Sequence, residues 1–319
     1  MSKTSESQPV NLRAAAVLLA VTLIWGSSFV VVRHALDDAP PLALLFFRFL
    51  LATAIGSVAP LGRTPSRRLF RDGLVLGLLL SAGMSLQVVG QTETSASKAA
   101  FLTGLAVVLT PFAAYLRTRR LPSLENGIGI TLATAGFLLL TYPETGGGFK
   151  RGDLAVAACG VVFAFYAVEL AERAGAHDAT WLTAVQVGVV TLSAGLLSIA
   201  ARAPALSRLP LAVFESRTVD WHGKFLWSVL YLGSFCTIGA FLGWTWAQGR
   251  MSAIHGAIIL ALEPVAAALL AAWILRERLG VRGIAGGAMV LAGIGVSEIR
   301  LRRVASDQFS VVSSGKPRN

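Results

Sequence analysis

Apolar residues in this chain come in long blocks, without the polar position every three or four residues that marks a helix half in water. Six blocks contain no Asp, Glu, Lys or Arg: Ala14–Val32, Gly73–Thr92, Ala99–Leu116, Asn126–Pro143, Ala179–Ala201 and Phe225–Gly249. Each runs about 18 to 25 residues, enough for a helix rising 1.5 Å per residue to cross roughly 30 Å of hydrocarbon. Four further blocks are interrupted or bordered by one charge: around Arg48, up to Glu169, around Glu263, and over Gly283–Ser297. A buried helix of a soluble domain seldom reaches this length without a polar face. The pattern predicts an all-α, polytopic membrane protein with ten transmembrane helices, over 14–35, 40–60, 73–92, 97–117, 123–142, 153–173, 178–201, 225–248, 252–275 and 281–299. Short connections make most neighbours antiparallel hairpins, and the longest, 202–224, is expected along the membrane surface. Residues 1–12 and 304–319 are polar and expected to be disordered tails.

Composition agrees with this picture. Apolar residues make up 55% and charged residues 14% of the chain, against about a quarter charged in an average globular domain. The net charge of +11 would suit nucleic acid, but the basic residues sit between spans, where they set orientation, and no nucleic-acid partner is expected. With the N-terminus inside, 14 Lys and Arg fall in inner connections and 11 in outer ones. The first half carries the bias, chiefly through Arg63, Arg67, Arg68 and Arg71 and through Arg117, Arg119 and Arg120. Both termini are therefore expected in the cytoplasm of a bacterial inner membrane. The N-terminal span lacks a small-residue cleavage pattern and reads as the first helix, not as a signal peptide. Cys159 and Cys236 fall inside spans and read as packing residues, not as a disulfide or metal pair.

The chain also repeats itself. Shifted by 157, residues 91–136 fall on 248–293 without a gap: Gln91 on Gln248, Ser95-Ala96 on Ser252-Ala253, Arg119 on Arg276, Gly129 on Gly286, and Ala135-Gly136 on Ala292-Gly293. Shifted by 138, Trp25-Gly26 falls on Phe163-Ala164 and Arg48 on Gln186. The difference between the two shifts fits the long 202–224 connection. Two five-helix units are expected, 14–142 and 153–299. Because five is odd, they face opposite ways in the membrane, an inverted repeat of the kind that places solute between the halves of secondary transporters. Pro111 and Pro264, four residues out of register, are expected to kink similar faces.

Four segments resemble the EamA-like branch of the drug/metabolite transporter superfamily across about residues 14–299. They are WGSSFVVVRHAL in helix 1, FFRFLLA in helix 2, QTETSASKAAFLTGLAVVLTP over helices 3 and 4, and SAIHGAIILALEPVAAALLAAWILRERLG over helix 9 and its exit. The resemblance implies ten helices, cytoplasmic termini, and a central cavity for alternating-access export of a small metabolite such as an amino acid or a similar amphipathic solute. The first-half counterpart of RERLG is RTRRLP, so a role for Glu277 need not be symmetric.

Glu263, in the middle of helix 9, is the leading site candidate. A charge there costs about 2.5–3.5 kcal/mol on insertion scales, and Pro264 beside it frees a backbone carbonyl. It reads as a contact for a substrate amine or as a protonatable coupling group, against a buried carboxylate bridging helices. His255 lies two turns earlier, as a proton-linked partner or a packing histidine. Arg48 interrupts helix 2 and suits a carboxylate gripped bidentately, or else a snorkelling or internally paired cation. Gln87, Gln91 and Gln248 offer amides for solute or for helix contacts. Trp25, Tyr166 and Trp244, with Trp246, are candidates for an aromatic pocket or for interfacial anchors. Lys98 and Glu169 read as interfacial charges, Glu169 pairing with Arg173. Gly127, Gly129, Gly283, Gly286 and Gly287 read as close-packing positions of helices 5 and 10. No phosphate loop, metal-spaced carboxylate pair or His/Cys cluster stands out, so no cofactor and no metal are expected. The expected partners are the bilayer, a small solute and a proton or counter-solute, in a monomer or homodimer. The competing readings are an intramembrane enzyme acting on a lipid-soluble substrate and a non-transporting receptor or scaffold.

Overall fold

The computed structural model describes residues 11–58, 65–119, 124–141, 150–203, 214–251, 256, 259–277, 280–293 and 295–296. The expected tails 1–12 and 304–319, apart from Asn11 and Leu12, lie outside these residues, as does His255. Six helices are each long and apolar enough to span a bilayer: α1 (Leu12–Asp38), α3 (Arg67–Gly90), α4 (Ala96–Arg117), α6 (Arg151–Ala174), α7 (Ala179–Ala201) and α8 (Gly223–Gln248). Four shorter helices complete ten: α2 (Pro41–Gly56), α5 (Leu124–Thr141), α9 (Glu263–Ile274, with residues 256, 259 and 260 helical before it) and α10 (Val281–Gly293). Large apolar side chains such as Leu78, Leu192, Ile199, Trp227 and Trp273 are exposed around the outside. Facing water, that surface would be costly; facing lipid, it is the required solvent contact. The chain is an integral membrane protein of ten helices.

Local chemistry fixes most helix starts. Asn11, Ser66, Ser95 and Asp178 each accept a backbone N–H three residues on, at 3.2, 3.1, 3.3 and 3.0 Å, satisfying donors that an isolated first turn leaves open. Pro40 and Pro41 end α1 and open α2, which has no capping side chain of its own. Call the face where α1 begins the near face and the face where it ends the far face. On the far face, carboxylates from elsewhere cap three helices. Glu215 accepts the Leu42 N–H of α2 at 2.5 Å. Glu277 accepts the Ala96 and Ser97 N–H groups of α4 at 3.0 and 3.2 Å. Glu93 accepts the Gly152 N–H of α6 at 2.9 Å. The described part of 202–224 is thus bound to the bundle, with Arg217 donating to the Leu36 carbonyl at 3.1 Å and His222 meeting Asp38 at 3.0 Å. On the near face, Asp72 of α3 meets His177 at 2.9 Å and Arg173 at 3.6 Å. Arg117 of α4 pairs with Glu172 at 3.0 Å, and Arg173 with Glu169 as expected.

Packing follows a two-fold exchange of the halves. α3 packs on α6 and α7 as α8 packs on α1 and α2; α4 packs on α6 as α9 packs on α1; α2 meets α7, and α4 meets α9. At the α5–α10 crossing the exchange is visible atom by atom. A Cβ on Gly136 would lie 2.6 Å from the Gly286 carbonyl oxygen, and one on Gly293 would lie 2.5 Å from that of Gly129. Gly136 and Gly293 are repeat mates, as are Gly129 and Gly286. The two halves are inverted five-helix repeats.

Several expectations need correction. Helix 2, expected to residue 60, ends at Gly56. Helix 3, expected from 73, begins at Arg67 because Ser66 caps it and its arginines extend the helix past the apolar block. Helices 4 and 9 are not continuous. The first is interrupted at Gly104, where the Val107 N–H bonds the Gly104 carbonyl at 3.1 Å; the second at Ala261–Leu262, where the Leu262 N–H bonds the Ile259 carbonyl at 3.2 Å. These are tighter three-residue closures inside an α-ladder. Gly104 and Ala261 are 157 apart, so the symmetric irregularity lies at these residues and not at the prolines. Pro111 sits within an intact stretch, and Pro264 occupies the first turn of α9, where it removes no ladder bond. Gly127 has no neighbour within 4 Å of a built Cβ, so it is not a close-packing glycine.

Candidate functional site

The interruptions of α4 and α9 meet: a Cβ on Gly104 would lie 2.8 Å from Pro264 Cγ. Beside this crossing lies a cavity with about 770 Å³ of empty space including its open mouth. Its wall takes residues from both repeats. α1 gives Trp25, Ser28 and Phe29; α2 gives Arg48; α3 gives Met84 and Gln87. From α4 come Thr103, Gly104, Val107 and Thr110. α6 contributes Phe163, α8 contributes Phe241, Trp244 and Gln248, and α9 contributes Leu260 and Glu263.

Trp25, Phe241 and Trp244 form one connected aromatic wall. Trp25 stands edge-on to Trp244 with centroids 5.0 Å apart and lies 5.1 Å from Phe241. Both indole N–H groups are used within the protein. Trp25 Nε1 donates to the Cys236 carbonyl at 2.9 Å and Trp244 Nε1 to Gln248 Oε1 at 3.1 Å. The wall therefore offers ring surface to a ligand, suited to apolar groups and to cations over a ring face. Gln248 also donates to the Met251 carbonyl at 3.3 Å, and Gln87 donates to Thr103 Oγ1, beside the α4 interruption, at 3.2 Å.

Two charged groups line the same space. Arg48 is buried; its Nε donates to Thr237 Oγ1 at 2.6 Å and its Nη2 to the Cys236 carbonyl at 3.3 Å. Among the described residues no carboxylate pairs with it, so it neither snorkels nor closes an internal ion pair. Three of its five N–H donors stay uncommitted. Glu263 is half-buried at the first position of α9, and among the described residues no hydrogen bond or ion pair holds its carboxylate. Among the described residues, the cavity thus brings together one basic and one acidic side chain without an internal counter-charge, one from each repeat.

Of the residues singled out from sequence, Glu263, Arg48, Gln87, Gln248, Trp25 and Trp244 come together here. Tyr166 does not reach the cavity. It is fully buried behind Trp244, ring to ring at 5.1 Å, and donates to Gln186 Oε1 at 2.6 Å. Gln91 is buried at the end of α3, away from the lining. Lys98 lies in the first turn of α4, where its N–H meets Ser95. Sequence reasoning passed over Phe163, Phe241, Thr103 and Gly104. The 138 shift that lays Trp25 on Phe163 was a usable signal for the first of these; nothing in the apolar run around Gly104 marks the interruption.

Comparison with known proteins adds the family. The sequence profile of the EamA-like transporter family matches the chain twice, over residues 12–142 and 150–298. A relative from Archaeoglobus fulgidus named "Uncharacterized transporter" is 28% identical over 285 residues, covering 89% of this chain and 85% of its own length. A Salmonella typhimurium protein named "Probable amino-acid metabolite efflux pump" is 29% identical over 311 residues, covering 90% of this chain and 96% of its own. A solved crystal structure superposes with a TM-score of 0.63 at 21% identity, over 92% of this chain and 99% of that one, a likeness of fold. The family and these named relatives are transporters, which points away from an enzyme. Two profile matches, one per inverted repeat and meeting around a shared cavity, show that this chain belongs to the EamA-like transporter family.

Proposed function

We propose that the protein is a secondary transporter that exports an amino acid, or a similar zwitterion with an apolar body, by alternating access through the central cavity. One observation carries the reading: Arg48 and Glu263, each without a counter-charge among the described residues, line one aromatic-walled space from opposite repeats. Burying a lone charge is costly, and a ligand carrying a carboxylate and an amine relieves both charges at once. A ligand with one charge relieves only one. The name of the Salmonella relative points the same way. The arginine-rich near face is taken as cytoplasmic, in a bacterial inner membrane.

The test is efflux from liposomes loaded with an equimolar mixture of the standard amino acids, sampled by mass spectrometry. Large apolar amino acids should leave faster than from protein-free liposomes. Arg48→Gln and Glu263→Gln should each slow them at least about tenfold, equivalent to 1.4 kcal/mol of lost interaction, while melting temperature stays near wild type. If no amino acid leaves faster than from protein-free liposomes, the substrate class is wrong; if Glu263→Gln transports at the wild-type rate, the carboxylate has no part in it.

A further inference from the structure

The contact that holds Arg48 breaks the repeat symmetry in three ways at one place. The mate of Arg48 is Gln186, which stays within its own half, accepting from the Tyr166 hydroxyl at 2.6 Å and donating to the Leu182 carbonyl at 3.1 Å. The partner of Arg48 is Thr237 of α8, and the matching stretch of α3 is the leucine run Leu78–Leu80. α8 is π-helical over Leu232–Gly239, whereas α3 is α-helical throughout. A guanidinium, a hydroxyl that receives it and a π-helical turn thus occur together in one copy of this contact; in the other, the nearest α3 hydroxyl, Ser81, meets Ser193 of α7 and not Gln186.

The geometry links the three. Within the π turn, Thr237 Oγ1 donates to the Leu232 carbonyl, five residues back, at 2.8 Å. Its hydrogen is committed there, so its lone pairs are left to accept Arg48 Nε at 2.6 Å. The neighbouring Cys236 carbonyl takes both Trp25 Nε1 and Arg48 Nη2. π turns displace carbonyls from the regular ladder and recur at functional sites. Arg48 is thereby gripped through Nε and one Nη2 hydrogen, while both hydrogens on Nη1 and the second on Nη2 remain for the cavity that Arg48 lines. A planar guanidinium fixed in this way is prepared for a carboxylate without further loss of side-chain freedom.

We propose that Thr237 is a positioning residue for solute binding: it fixes the Arg48 guanidinium so that its remaining donors receive the solute's carboxylate. The proposal rests on the reading of the cavity as the solute site. Thr237→Val removes the hydroxyl at nearly constant shape, and Thr237→Ser restores it.

Two readouts decide the matter. In detergent-purified protein without solute, phenylglyoxal should modify Arg48 several-fold faster in Thr237→Val than in wild type, with Thr237→Ser at the wild-type rate, read by peptide mass spectrometry. In liposomes, Thr237→Val should raise the half-saturating concentration of the best-transported amino acid about tenfold. Its maximal rate should stay within about twofold, and Thr237→Ser should return both to wild type. Unchanged Arg48 reactivity in Thr237→Val, a fall in maximal rate alone, or failure of the serine variant to restore would overturn the proposal. If wild type moves no amino acid, the transport reading fails, and the phenylglyoxal comparison still decides what Thr237 does to Arg48.

Discussion

Glu215 shows how one side chain ties a connection to the bundle. It is 0% exposed; Oε1 accepts the Leu42 N–H and Oε2 the Ser198 hydroxyl, at 2.8 Å. Burial holds its carboxyl above the ordinary carboxylate range, and these hydrogen bonds, with Arg202 nearby, pull it only partway back. The sign follows from linkage. A folded-state pKa above the unfolded value of about 4.3 means that the fold favours the protonated acid. That contribution is complete below the unfolded value and is lost as pH rises through the folded one. Glu215→Gln keeps an acceptor for Leu42 and a group for Ser198 while removing the titration. Its melting temperature should equal or exceed that of wild type near neutral pH and vary less between about pH 4 and 8. Glu215→Ala should instead lower stability by about 1–3 kcal/mol, because the Leu42 N–H and the Ser198 hydroxyl lose their partner. Thermal unfolding of the three proteins across that pH range checks this, and a glutamine variant as pH-sensitive as wild type would contradict it.

At the scale of elements, the α5–α10 crossing and the α4–α9 crossing were read unequally well from sequence, for a physical reason. The repeat mates Gly129 and Gly286 read as close-packing positions, and their carbonyl oxygens are the atoms that Gly293 and Gly136 approach; Gly136 and Gly293 themselves showed in the sequence only as matched positions of the repeat. Gly127, grouped with Gly129, Gly283, Gly286 and Gly287 by composition alone, has open surroundings. The interruptions of α4 and α9 were missed, as was the π turn of α8. All three sit in apolar sequence, where the pattern of side chains is the same whether the ladder closes at three, four or five residues. The crossing yields a symmetric prediction. Gly136→Ala and Gly293→Ala each place a Cβ against a carbonyl oxygen and a backbone nitrogen of the opposite helix, the nitrogens at 2.8 and 2.7 Å. Both should cost about 1–3 kcal/mol and lower the melting temperature by similar amounts. The double variant should differ from the sum, since the two sites share one interface. Gly127→Ala is the control and should be neutral or stabilising by up to about 1 kcal/mol through helix propensity. Unequal effects of the two interface substitutions would mean that the crossing is less symmetric than its geometry.

For the molecule as a whole, the number of helices, their pairing and the family were legible because lipid imposes length on every span and duplication imposes a constant shift. The arrangement of charge in the cavity was only half legible. Arg48 and Glu263 were visible as charges in apolar runs, but whether either meets an internal counter-charge depends on contacts between residues far apart in the chain, and among the described residues neither does. Orientation is the whole-molecule property that sequence argues most directly. An inverted repeat has no built-in sense of direction: exchanging the halves exchanges the faces, so helix packing alone fits either orientation. The asymmetry lies in charge: by sequence, the expected inner connections of the first half hold nine Lys and Arg against two in the outer ones, and positive residues favour the cytoplasm. Cysteines introduced singly as Ser66→Cys, Gly147→Cys and Lys316→Cys put this to a direct test, with little background because Cys159 and Cys236 are buried. In intact cells, a membrane-impermeant maleimide should label position 147 and spare 66 and 316. In inside-out vesicles, 66 and 316 should label and 147 should not. Labelling of position 66 from outside would reverse the orientation while leaving the ten-helix fold in place. Labelling of both 66 and 147 from one side would instead break the odd number of crossings between them, and with it the inversion that brings Arg48 and Glu263 into one cavity from opposite directions.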